Sequence, residues 1–81
     1  MPHVEVLWIP GRNGNIAHLA ENNVSPEEAE QVLRRPIATD TSRTTGRPIA
    51  FGFTDTGRKL AVVYERIDRI TVYPITAYEV E

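Results

Sequence analysis

The chain has 81 residues, 41% of them hydrophobic and 25% charged, with a formal net charge of −2. That is the make-up of one ordinary globular domain spanning residues 1–81, near the lower size at which a single core suffices. The absence of cysteine excludes disulfides, thiolate metal sites and thiol nucleophiles, and no apolar run reaches the roughly 20 residues that cross a bilayer.

Residues 3–9 (HVEVLWI) alternate and predict a first strand, with Val4, Val6 and Trp8 on one face and Glu5, Leu7 and Ile9 on the other. The early Glu5 and the lack of a basic start are unlike a secretory leader, so the cytoplasm is the expected compartment. Pro10-Gly11 breaks the strand. Asn15 is the expected N-cap of a short helix ending near Asn22-Asn23, with Ile16, Leu19 and Ala20 on its inner face.

Ser25-Pro26-Glu27-Glu28 is the most explicit local signal. Serine caps, proline takes the first helical position where no N–H is needed, and Glu28 closes a capping box. The helix should run to about Arg35, bury Ala29, Val32 and Leu33, and stop at Pro36. Residues 37–47 are polar and without period, which predicts a loop. Residues 48–54 and 59–65 are rich in Phe, Ile, Val and Tyr and flank Asp55-Thr56-Gly57, so they predict a hairpin. Residues 70–78 predict a last strand, with Pro74 marking an edge or a bulge. The order β-α-α-β-β-β gives an α+β fold, two short helices packed on a mostly antiparallel sheet of about four strands.

Charge is distributed unevenly. Residues 1–33 carry five glutamates against Arg12, whereas residues 34–59 carry Arg34, Arg35, Arg43, Arg47, Arg58 and Lys59 against Asp40 and Asp55. A basic middle in an acidic chain suits a local anion site, although solvated loop charges give the same pattern. The two histidines, His3 and His18, have no carboxylate at ligand spacing, so no metal site or cofactor is expected. What remains is Arg, Glu and Tyr. Arginine forks onto phosphate oxygens, a carboxylate such as Glu65 can serve as a base, and Tyr78 can serve as an acid or a stacking surface. The same residues also fit surface pairs and simple packing.

HLAENNVSPEEAEQVL (His18 to Leu33), GRPIAFGFTDTGRKLAVVY (Gly46 to Tyr64) and ITAYEVE (Ile75 to Glu81) together resemble the BrnT-like toxins of the RelE-type ribonuclease superfamily. The resemblance runs from Asn15 onward and implies a RelE-like fold, metal-independent cleavage of messenger RNA, and neutralisation by a cognate antitoxin protein. It makes Arg58 and Arg47 the first candidates for RNA contact. The chain departs from the family where Glu21-Asn22-Asn23 replaces a frequent Lys-His-Gly, and where Tyr78 replaces a basic residue of the terminal strand.

The resulting expectation is a cytoplasmic toxin–antitoxin component that binds RNA. Arg58, Glu65 and Tyr78 are its catalytic candidates, and Arg43, Arg47 and Lys59 its RNA-binding ones. Arg58 is expected to be an exposed rim cation. The alternative is a non-catalytic protein-interaction domain of the same fold, and a homodimer is a third arrangement consistent with the chain's small size.

Overall fold

Helix α2 (Pro26–Arg34) forms where the sequence is most explicit. In the computed structural model, which describes residues 4–81, Ser25 Oγ accepts from the Glu28 N–H at 3.2 Å and Glu28 accepts in return from the Ser25 N–H at 3.0 Å. Both halves of the capping box are therefore present. Ala29, Val32 and Leu33 are buried as expected.

The hairpin forms as read, from β3 (Pro48–Phe53) and β4 (Lys59–Arg66), with Gly57 at φ 87 in the turn. Strand β5 (Thr71–Glu79) follows a turn in which Asp68 accepts from the backbone of Ile70 and Thr71. These two bonds, that from Ile70 first, hold the Asp68 carboxyl below the usual range.

The sheet has five strands, one more than expected. Residues 38–41, read as loop, form β2 (Ala38–Thr41), antiparallel to β3. All four of its residues are exposed, so it carries no alternation to read. It exists because the free edge of β3 supplies a partner. The strand order is β1-β5-β4-β3-β2, with β1 (Glu5–Val6) parallel to β5 and every other pairing antiparallel. The fold is α+β on a mixed sheet, in the order β-α-α-β-β-β-β.

The first strand is shorter than residues 3–9, and residue 3 lies outside the described residues. Its faces are as read, since Val4, Val6 and Trp8 pack against the core. Asn15 accounts for the early end. It is not an N-cap: Gly14 holds that position, and Asn15 lies buried inside helix α1 (Asn15–Ala20). Glu5 N donates to Ile70 O and Leu7 N to Val72 O, as in a parallel ladder. Continuing that ladder requires an N–H from residue 74 to Leu7 O, which Pro74 lacks. The Asn15 amide donates instead to Leu7 O (2.8 Å) and Pro74 O (3.1 Å), and its Oδ1 accepts from Ile9 N (2.8 Å). One side chain thus replaces a stretch of backbone pairing. Pro74 is not on an edge strand, and the register shift between Val63 and Tyr64 marks the irregularity beside it.

Both helices pack on one face, α1 against β5 and α2 against β3 and β4. Leu19, Val24, Ala29, Val32, Leu33, Ala50, Leu60, Val62, Val72 and Ala77 form the core there. Ala20, expected inside, is exposed, because the six-residue α1 turns only Asn15 and Leu19 fully inward. No helix of the described residues is long and apolar enough to cross a membrane.

Candidate functional site

Strand alternation assigns each candidate to a face. Leu60 and Val62 point to the helices, and so does Arg58, which shares their parity. Lys59, Ala61, Val63 and Glu65 therefore point to the opposite, open face. Across the strands, Phe53 is opposite Lys59, Phe51 and Tyr78 flank Ala61, Ile49 and Thr76 flank Val63, and Tyr73 is opposite Glu65.

Arg58 is not a free rim cation. Its guanidinium donates to Glu28 Oε2 at 2.7 Å, to Asn23 O at 3.0 Å and to Glu79 Oε1 at 3.3 Å. Its side chain is only 23% exposed. These partners, Glu28 foremost, raise the Arg58 pKa further. Glu28 is held below its ordinary value, first by the Ser25 N–H and also by Arg58. Arg58 thus ties the start of α2, the α1–α2 turn and the end of β5 together, with two carboxylates answering its charge. Its parity with Leu60 and Val62 was the available sequence signal.

The other candidates divide between the two ends of the sheet. Lys59 and Tyr78 lie on the open face near the β3–β4 turn, Tyr78 being 41% exposed. Arg43 is exposed in the β2–β3 turn, where Ser42 N donates to Arg47 O at 2.7 Å and Gly46 N to Ser42 O at 2.8 Å. The β3–β4 pairing ends at Ile49–Val63, and Arg47 and the exposed Glu65 both lie just beyond that end, Glu65 with Tyr73 opposite it on β5. Seven residues of strand, at about 3.3 Å each, separate Arg58 from Glu65 by roughly 23 Å. Those two do not converge on one phosphate. Glu65, Tyr73, Arg47 and the β2–β3 turn that carries Arg43 lie at the opposite end of the sheet from Arg58.

No family model, curated protein or solved structure matches the chain.

Arg47 is the least satisfied of the grouped residues: its Nε is buried without a hydrogen-bond partner among the described residues. Such a group costs about 1–3 kcal/mol unless an acceptor meets it. No group of three or more His, Asp or Glu side chains suited to a metal ion occurs among the described residues, and His18 is exposed. His3 lies outside them. A second cluster stands on the outer side of α2, where Glu30 accepts from Trp8 Nε1 at 2.6 Å and from Arg34 at 2.5 Å. Burial pushes the Glu30 carboxyl up, but the bonds from Arg34 and Trp8 outweigh it and leave it below its ordinary value. This cluster fastens residue 8 to the helix.

Proposed function

We propose that this chain is the toxin of a toxin–antitoxin pair, a RelE-type domain that takes RNA at the end of the sheet where Arg43, Arg47 and Glu65 gather. The observation that carries the reading is a shared location: two arginines, one with an Nε–H that has no partner among the described residues, lie at one end of the sheet with an exposed carboxylate. The likeness from His18 to Glu81 supports it. So does Asn23, whose φ of 62 is the left-handed conformation suited to the glycine that the BrnT-like toxins often carry there.

In this reading Glu65 takes the proton of a ribose 2′-OH, whose oxygen attacks the adjacent phosphorus. The 5′ oxygen leaves with a proton from an acid, and a 2′,3′-cyclic phosphate results. Arg43 and Arg47 stabilise the charge that builds on the phosphoryl oxygens. Tyr73, directly across from Glu65, is the nearer acid. Tyr78 lies four residues of strand away, about 13 Å, and serves as a stacking surface. The cytoplasmic setting and the antitoxin partner belong to the same proposal. Lys59 and Arg58 lie at the other end, and Arg58 acts by holding the fold.

The second reading, a non-catalytic protein-interaction domain, is favoured by the double carboxylate clasp on Arg58, which leaves no available cation at the family's Gly-Arg position. Induced expression in a bacterial host separates the two, with wild type beside Glu65→Gln and Arg43→Ala and with growth and messenger RNA followed. Arrest with RNA loss, relieved by either substitution in folded protein, is the expected result. Abundant folded wild type without arrest would discard the ribonuclease in favour of the interaction domain.

A further inference from the structure

The open face of the sheet carries a pattern that complements itself when turned end for end. On β4, the middle strand of the five, it carries Lys59, Ala61, Val63 and Glu65: a cation, two apolar residues and a carboxylate, with Ala61 fully buried between its neighbours Phe51 and Tyr78. Phe51 and Ile49 from β3 and Tyr78 and Thr76 from β5 widen the apolar centre into a band. Both helices lie on the other face, and no described element covers this one. Phe53, beside Lys59, is 52% exposed.

We propose that this face stacks on the same face of a second copy, about a two-fold axis that crosses the strands between Ala61 and Val63. That axis lays β4 antiparallel over its partner. It sets Phe51 and Tyr78, which flank the buried Ala61, over the partner's Ile49 and the partner's Thr76, and Lys59 over the partner's Glu65 at both ends. The other in-plane axis, along the strands, sets lysine on lysine and glutamate on glutamate, and like charges reject it. Stacked sheets lie about 10 Å apart and cross at roughly 30°. Lys59 and Glu65 are six residues apart, so each lies about 10 Å from the axis, and the crossing displaces them sideways by about 5 Å. Their combined side-chain length spans both offsets.

Four strands about 4.8 Å apart and a length of about 20 Å give a face of roughly 400 Å² per copy. A standard interface buries about 800 Å² per partner, so the dimer is a weak one. The proposal is independent of the RNA reading, and one consequence links them: the stacked form withdraws Glu65 from solvent.

Sedimentation equilibrium of the full chain, from low to several hundred micromolar, tests it. Wild type is expected to dimerise. Lys59→Glu and Glu65→Lys, each shown folded by circular dichroism, should each weaken association by about 10-fold or more, because each places like charges at both ends. The double variant Lys59→Glu/Glu65→Lys should regain the wild-type constant to within a few-fold. An equimolar mixture of the two single variants should form a heterodimer while each alone stays monomeric. A wild type that remains monomeric throughout overturns the proposal, as does a double variant no more dimeric than the singles. Dimers of unchanged strength in both single variants would place the interface elsewhere and overturn it equally.

Discussion

Replacing Asn15 tests the claim that one carboxamide stands in for backbone pairing. Its side chain is buried and serves Ile9 N, Leu7 O and Pro74 O. Asn15→Ala leaves all three backbone groups without that partner, at about 1–3 kcal/mol each, so a loss of at least 3 kcal/mol is expected. A domain of this size has about 4–12 kcal/mol in all. Trp8, the only tryptophan, packs against the core and donates to Glu30, so its fluorescence reports unfolding in urea. With a slope near 1 kcal/mol per molar urea, the midpoint should fall by about 3 M. Asn15→Asp keeps the acceptor for Ile9 N but turns a carboxylate toward two carbonyl oxygens. Its folded pKa should lie above the unfolded value. Its stability should therefore be greatest below the unfolded pKa and be lost as pH rises through the folded one. An Asn15→Ala protein within 1 kcal/mol of wild type would refute the ladder-replacement reasoning.

Gly14→Ala should prevent stable folding, because a Cβ there would lie 2.0 Å from Ile9 O, whereas Gly57→Ala, at φ 87 with open space around it, should cost only about 1 kcal/mol. Thermal melts that rank the two the other way would refute the close-approach argument. Glu28 and Glu30 both titrate below the ordinary 4.5 when folded. Their contribution is therefore fully present above that unfolded value and is lost as pH falls through the folded ones. Urea midpoints should be flat above about pH 5 and decline below it, and Glu28→Gln should shrink the decline.

The elements legible in the sequence are those whose causes are local. The capping box at Ser25 and Glu28 and the turn at Asp55 to Gly57 contain their own partners, and both form as read. Strand β2 contains no such cause; Ala38 to Thr41 are exposed on every side and become a strand only through β3. Asn15 departs from the expected cap for a related reason. An asparagine before a helix is a good cap by composition, but Pro74, 59 residues later, creates the unpaired acceptor that claims its side chain. The site followed the same rule. Residue type made Arg58, Glu65 and Tyr78 plausible together, whereas the parity of Arg58 with Leu60 turns it to the helices and the β4–β5 register gives Glu65 a different tyrosine.

Glu65 is where the two proposals meet, and they make opposite demands on it. As a base it must reach a ribose hydroxyl from solvent; as a dimer contact it lies over the partner's Lys59. The two uses exclude each other, so cleavage per chain should fall as protein concentration passes the dissociation constant measured by sedimentation. At ten times that constant, about 80% of chains are paired by mass action, and the specific activity should drop to about a fifth. Lys59→Glu, which opposes pairing but leaves Glu65 in place, should remove the concentration dependence. Salt separates the effects further, since phosphate contacts weaken steeply with ionic strength and an apolar sheet centre does not. If specific activity stays constant while sedimentation shows the stacked dimer filling, Glu65 is not the base and the cleavage chemistry lies off the open face.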